Sequence, residues 1–357
     1  MSTEKLIEFN DAQRMIQRLR VETAKRVFGM DRAFSIIMTA LLAKGHCVLE
    51  DVPGTAKTLL VKTIAEGIAC ESSRTQGTPD VRADDITGQE VLDPVTGKLV
   101  FRRGPIFTDL YLTDEINRFM PKSQSALLEA MAERQVSLSV SVEVDVDEDK
   151  DKDKDKDKDT QEVDEDKQSR EHTVNLPELF TVIATQNPIE DVGTYPLTKA
   201  QADRFMFKDR VGYPSREDEL KIAQMAVELT PIESVMSRED IFDIRRLVWE
   251  KVHVSDEVLG HMVDLTRFTR PEEFELAKEK LILGCSPRVS QTLFRASKAW
   301  AFLEGREHVM PEDVAELAPA VLRHRVEFRN YKKDEHEQEL KELLDGIYKE
   351  IGLRREE

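Results

Sequence analysis

Lys57 and Thr58 are the first pair in this chain whose residue types and setting point to chemistry. An apolar run at 47–49 stops at Asp51-Val52-Pro53-Gly54. Thr55 and Ala56 lead into Lys57-Thr58, and Leu59-Leu60-Val61 opens an apolar helical pattern. Strand, tight loop, Lys-Thr and helix is the layout of a phosphate-binding loop. Its backbone N–H groups face an anion, its lysine reaches the outer phosphates and its hydroxyl meets Mg2+. The strict pattern G-x-x-x-x-G-K-[ST] is not met, because Asp51 and Ala56 stand where the two glycines belong. Gly54 still lets the backbone curl, and the small Ala56 leaves nearly as much room beside a phosphate as glycine does.

Further along, the strand-like stretch 106–113 runs straight into Asp114-Glu115, 56 residues after Thr58. Paired acids at a strand end suit a divided task. Asp114 would hold Mg2+ through water, and Glu115 would polarise an attacking water. Alone, such a string is usually a solvated strand end. Another apolar, β-branched run, 180–185, ends in Gln186-Asn187-Pro188, where Asn187 could orient water near a terminal phosphate; Asn-Pro is also an ordinary turn starter. Arg204, in Asp203-Arg204-Phe205, and Arg288, in Ser286-Pro287-Arg288, follow in an order that suits phosphate contacts.

These residues need elements to carry them. Helical spacing of apolar residues covers 5–27 and 31–43, then continues after the loop to about residue 69. Residues 78–101 read as an inserted hairpin turning at Asp93-Pro94-Val95-Thr96-Gly97. A strand at 107–113, a helix at 121–134 and a buried strand at 180–185 complete an α/β alternation with a mostly parallel sheet. Beyond Pro214 the strands stop and helical patterns run to residue 351, with Ser237/Asp240 and Pro311/Glu312 as starts. The division expected is an α/β domain over 1–213 and an all-α domain over 214–357. Within the first, 143–171 is acidic, nearly free of apolar residues, and contains a strict Asp-Lys alternation. Such a composition is expected to be disordered.

The 357 residues are 40% hydrophobic and 34% charged, as in a globular protein. A net charge of −18 disfavours non-specific binding to nucleic acid or anionic membranes. Cys47, Cys70 and Cys285 are widely spaced and show no metal-like pair and no disulfide-framework pattern, which suits a reducing compartment. With no signal-like start and no membrane-length apolar run, the expected location is cytoplasmic, with no membrane insertion.

Phosphate loop, paired acids, strand-end Asn and two arginines ahead of a helical segment together resemble an AAA+ ATPase module. More closely, residues 20–326 resemble the MoxR family. The carrying segments include Gly104-Pro105-Ile106-Phe107, Asp114-Glu115-Ile116-Asn117-Arg118, Ala184-Thr185-Gln186-Asn187-Pro188, Ser286-Pro287-Arg288 and Leu322-Arg323-His324-Arg325. The resemblance implies an AAA+ P-loop NTPase core with a C-terminal all-α lid, ATP and Mg2+ as ligands, and the hairpin at 78–101 as the helix-2 insert. Lys57 would contact the β- and γ-phosphates and Thr58 would ligate Mg2+, within a binding stretch of Val52, Pro53, Gly54, Thr55, Ala56, Lys57 and Thr58. Arg204 would be the finger reaching a neighbour's γ-phosphate, and Arg288 a sensor serving its own chain's nucleotide. A homo-hexameric ring, a von Willebrand factor A domain partner, and chaperone-like remodelling, activation or cofactor insertion on a client complex are further implications. A DNA-acting ring motor and a slow nucleotide-gated scaffold remain open as alternatives, with nucleic acid disfavoured by charge.

Overall fold

The computed structural model describes residues 7–50, 56–141, 169–187, 193–225, 230–329 and 335–353. In chain order the elements begin with α1 (Phe9–Ala24), α2 (Asp31–Leu42), β1 (Cys47–Glu50), α3 (Lys57–Gly67) and β2 (Ser72–Gln76). Next come α4 (Ala83–Thr87), β3 (Gly88–Leu92), β4 (Leu99–Arg103), β5 (Leu110–Asp114) and α5 (Pro121–Glu133). They are followed by β6 (Gln135–Ser141), β7 (Ser169–Asn175), β8 (Thr181–Gln186), α6 (Lys199–Ala202), β9 (Phe207–Arg210) and α7 (Arg216–Ala223). The last group is α8 (Arg238–Lys251), α9 (Asp256–Arg267), α10 (Glu275–Lys280), β10 (Leu281–Leu283), α11 (Arg288–Leu303), α12 (Pro311–Leu322), β11 (Glu327–Phe328) and α13 (His336–Ile351).

Five strands pair in parallel in the order β2-β5-β8-β1-β9. Parallel strands need crossovers, and the crossovers cover both faces of the sheet. Alternate residues therefore enter different cores. Cys47, Leu49, Leu110, Leu112 and Ile183 pack with α1–α3 and the C-terminal helices. Val48, Tyr111, Val182 and Ala184 pack on the opposite side with Phe119, Leu127 and Met131. The period-2 alternation is present, but both sides are apolar, so the strands read as short continuous apolar runs.

The hairpin expected within 78–101 is the antiparallel β3–β4 pair, closed through Asp93, whose carboxylate accepts from the Val95 N–H (2.9 Å) and the Thr96 hydroxyl (2.7 Å). A short helix, α4, precedes it. The expected helix start at Ser237 is a capping box: the Asp240 N–H donates to Ser237 Oγ (3.2 Å) and the Ser237 N–H to the Asp240 carboxylate (2.7 Å).

Some strands were not expected. Ser72–Gln76 is a polar edge strand alternating between exposed and half-buried residues, so hydrophobicity does not mark it. The expectation of disorder over 143–171 is corrected at its end. Ser169, Arg170 and Glu171 belong to β7, in register with Ser141, Val140 and Ser139 of β6. A backbone ladder needs no apolar side chain, so composition alone does not exclude it. Positions 143–168, including the Asp-Lys alternation, lie outside the described residues. Among the described residues the C-terminal part is mostly helical, with an antiparallel pair, β10–β11, that ties 281–283 to 327–328, and an isolated bridge between His253 and His308.

His46, just ahead of β1, is buried and neutral. Its Nδ1 accepts from the Val182 N–H (2.9 Å) and its Nε2 lies 3.3 Å from the Met131 carbonyl. Desolvation, aided by the nearby Arg134 charge, pushes its pKa from 6.5 down to about 3. The unfolded chain binds this proton below pH 6.5 and the folded chain does not until about 3. Stability attributable to His46 is thus complete above pH 6.5 and is lost as pH falls, by up to about 1.4 kcal/mol per pH unit. Urea midpoints measured at pH 7 and pH 5 should fall less in His46→Gln than in the parent chain; equal falls would count against this assignment.

Candidate functional site

The C-terminal ends of β5, β8 and β1 lie side by side, so residues just beyond these strands converge. Thr58, in the first turn of α3, donates its hydroxyl to Asp114 Oδ2 at 3.2 Å. Asp114 Oδ1 accepts from Thr185 Oγ1 of β8 at 3.1 Å, and the Glu115 N–H donates to that same hydroxyl oxygen at 2.9 Å. Thr185 thus fixes the two acids relative to each other, a role the sequence did not suggest. Asn187 follows β8 directly and is buried. The structure therefore brings together Thr58, Asp114, Glu115 and Asn187. Lys57 is the first residue of α3. Val52, Pro53, Gly54 and Thr55 lie outside the described residues.

Two residues here adopt left-handed backbone. Ala56 has φ 57° and Glu115 φ 53°. An L-residue bears roughly 1–2 kcal/mol in that region, and such strain gathers at functional sites. Ala56 is the position where the strict loop pattern asks for glycine, and the observed φ supplies the reason. The helix ladder of α3 starts with the Leu60 N–H bonding to the Ala56 carbonyl at 2.9 Å. N–H groups ahead of it face the helix end, the arrangement that accommodates a phosphate.

Charge around the acids is specific. Arg74 of β2 donates from Nε to Asp114 Oδ2 at 2.6 Å, and Arg118 pairs through Nε with Glu115 at 2.8 Å. Gly77 lies against the same corner, its N–H donating to the Asp114 carbonyl at 2.6 Å. A Cβ on Gly77 would fall 2.1 Å from the Glu115 carbonyl oxygen. Gly77→Ala is therefore expected to cost about 1–3 kcal/mol of stability and to slow ATP turnover by roughly a hundredfold through displacement of Glu115. Urea unfolding and phosphate release measure the two effects; full turnover in a folded variant would refute the positioning argument.

Beside Ala56 and Leu59, a cavity of about 360 Å3 opens between the α1–α2 connection and the segment around Tyr213. Val27, Phe28 and Met30 form one wall, and Tyr213, Ile222 and Met225 another. These residues lie nearly 200 positions apart in sequence, so no local motif announces them.

Arg204 and Arg288 are elsewhere. Arg204 precedes β9, whose Phe207 is level with Cys47 at the start of β1. It therefore sits at the N-terminal edge of the sheet, opposite Asp114. Its side chain is exposed. Arg288, first residue of α11, pairs with Asp203 at 3.1 Å. The resemblance leads one to expect Arg288 to serve the nucleotide of its own chain; the structure places it beside Asp203, which directly precedes Arg204. The motif Arg323-His324-Arg325 fastens the same corner. Arg325 pairs with Asp203 (2.7 Å), Arg323 with Asp209 (3.0 Å) and Glu337 (2.8 Å), and His324 Nε2 lies 3.1 Å from the Phe205 carbonyl.

A five-stranded parallel sheet with a phosphate-loop helix, an adjacent strand-end Asp-Glu and a helical C-terminal lid defines an AAA+ ATPase. The family model described as ATPase family associated with various cellular activities (AAA) matches residues 46–148 and 160–207, and the AAA lid domain model matches 273–344. The chain belongs to the MoxR family of these ATPases. It is 35% identical over 315 residues to chaperone MoxR1 of Mycobacterium tuberculosis, covering 87% of this chain and 75% of that protein. It is 39% identical to the uncharacterized protein YeaC of Bacillus subtilis, covering 86% and 85%. The crystal structure of a candidate ATPase from Cytophaga hutchinsonii superposes with a TM-score of 0.79 at 31% identity, covering 97% of both chains. Among the described residues no helix is long and apolar enough to cross a membrane.

Proposed function

We propose that this ATPase works as a Mg2+-dependent homo-hexameric ring that remodels or activates a partner protein complex. The observation that carries the reading is the convergence of Thr58, Asp114 and Thr185 around one carboxylate, with Glu115 immediately beyond. The donor set fits a hard divalent cation, since the Thr58 hydroxyl and the Asp114 carboxylate are oxygen ligands already 3.2 Å apart. When bound, Mg2+ would neutralise phosphate charge. Lys57 would hold the β- and γ-phosphates, Asn187 would orient the attacking water and Glu115 would accept its proton. The apolar cavity beside Leu59 would receive the base, between Phe28 and Tyr213.

In this reading the chain divides into a nucleotide-binding domain, 1–213, and a lid, 214–357. Arg204 and Arg288 both face the next subunit's nucleotide. A net charge of −18 favours a protein over a nucleic acid as the object of the work. The name chaperone, carried by the Mycobacterium tuberculosis relative, points the same way. A von Willebrand factor A domain protein as partner, with cofactor insertion among the outcomes, belongs to this proposal and is supported only by the likeness to MoxR proteins. The expected test result is that Lys57→Ala weakens ATP binding by about ten- to a hundredfold, the loss of a charge-assisted contact worth roughly 1.5–3 kcal/mol. The variant should also fail to form ATP-dependent rings in sedimentation. Unchanged affinity would refute the phosphate-loop assignment.

A further inference from the structure

At the N-terminal edge of the sheet, away from Thr58 and Asp114, a cavity of about 350 Å3 opens between the end of α2, Glu178 and helices α8 and α11. Five cations line it, Lys44, Arg245, Arg246, Arg295 and Lys298, against the single carboxylate of Glu178. The chain as a whole carries −18, so this concentration of positive charge runs against its composition.

Little of that charge is neutralised. Arg245 donates to the Leu41 carbonyl at 2.9 and 2.7 Å, and Lys298 donates to the Trp249 carbonyl. Both contacts fix the side chain without cancelling its charge. Arg134 closes the cluster from behind, donating to the carbonyls of Glu178 (3.1 Å) and Lys44 (3.3 Å). Arg246 pairs with Asp243 at 2.6 Å, whereas Arg295 is held down by desolvation and repels the neighbouring Arg134. Burial holds Arg134, Arg295 and Lys298 below their ordinary pKa values and Arg245 down to about 10. Cations that outnumber the carboxylates beside them in a cavity are costly, and an incoming anion offsets the cost.

The cavity also has a ring platform. Trp249 is 60% exposed, although Lys298 Nζ lies 4.8 Å from its ring centroid and Phe294 meets it edge-on at 6.0 Å. Phe242 and Val248 continue the apolar wall. A purely apolar ligand would desolvate the cations further, and a lone carboxylate would leave most of them unpaired. A nucleic acid needs cations spread along a track, whereas these converge.

We propose that this cavity is a second anion site, separate from the phosphate loop, for a small molecule joining a flat ring to a phosphate group of two or more charges, such as a nucleoside diphosphate. The ring lies on Trp249 and the phosphates lie among Arg246, Arg295 and Lys298. The volume is within the roughly 300–1,000 Å3 of small-molecule pockets. Base–aromatic stacking and charge-assisted phosphate contacts supply the recognition.

The test uses the full chain carrying Lys57→Ala, which weakens the phosphate-loop site. ADP, inorganic pyrophosphate and a tetra-aspartate peptide are titrated calorimetrically. ADP should bind saturably and pyrophosphate more weakly. Adding Arg295→Ala, or Arg246→Ala as a second exposed substitution, should weaken ADP by about tenfold or more, the scale of one charge-assisted contact. Trp249→Ala should weaken ADP and leave pyrophosphate unchanged. Absence of ADP binding in the Lys57→Ala chain, or ADP binding indifferent to both Arg295→Ala and Trp249→Ala, overturns the proposal. Equal affinity for pyrophosphate and ADP overturns the ring contact, and tighter binding of the peptide reassigns the cavity to a protein segment.

Discussion

Glu115→Gln is expected to lower ATP turnover by about 10²- to 10⁴-fold, the range for loss of a general base, while ATP binding is retained. The geometry separates the two functions. In the proposed function, binding rests on Lys57, Thr58 and Asp114, and the Asp114 carboxylate is held by Thr58, Arg74 and Thr185. Glu115 is positioned through its backbone, whose N–H bonds to Thr185, so exchanging carboxylate for amide leaves the support intact. Its carboxylate pairs with Arg118 at 2.8 Å and must leave that pair, at least in part, to take a proton from water. Gln fills the same space but has no basic oxygen of comparable strength and no charge for Arg118. Phosphate release and equilibrium ATP binding are the two measurements. A variant that keeps more than about a tenth of parental turnover would remove Glu115 from the role of base.

Much of this site was legible because its parts are local. Lys57-Thr58 and Asp114-Glu115 are adjacent pairs at strand or helix ends, and the apolar runs beside them are the central strands. The sheet order was not read from the sequence, and it is this order that places β8, with Asn187 directly after it, between β5 and β1. What was not legible depends on partners distant in the chain. Arg74 lies on a polar edge strand and meets Asp114 only because β2 and β5 pair in register. The cavity beside Leu59 takes walls from the α1–α2 connection and from the segment around Tyr213. The placement of Arg288 depends on a contact with Asp203, 85 positions away. The left-handed backbone of Ala56 could be anticipated only in part: the missing glycine marked the position, and the φ of 57° shows what glycine would have eased.

The placement of Arg204 leads to the other large effect. Arg204→Ala is expected to bind ATP as the parent does and to hydrolyse it about 10³- to 10⁵-fold more slowly, the range for removal of an arginine finger. The reason is directional. β9 runs parallel to β1, and Arg204 stands ahead of its first residue. The phosphate loop begins beyond the last residue of β1, so the length of a four-residue strand, about 13 Å, lies between the two edges. An exposed arginine on that edge is suited to a neighbour's nucleotide and not to its own. Mixing tests this without a structure of the ring. Lys57→Ala chains supply Arg204 but no nucleotide site, and Arg204→Ala chains supply the reverse. In randomly mixed rings at equal amounts, about a quarter of the interfaces join an intact Lys57 to an intact Arg204. Turnover should therefore reappear on mixing, although each variant alone is nearly silent. Arg288 enters the same experiment, since its pair with Asp203 puts it on the Arg204 side. Arg288→Ala should complement Lys57→Ala and fail to complement Arg204→Ala. The opposite pattern would return Arg288 to the nucleotide of its own chain, and silence in every mixture would remove both arginines from the neighbour's site.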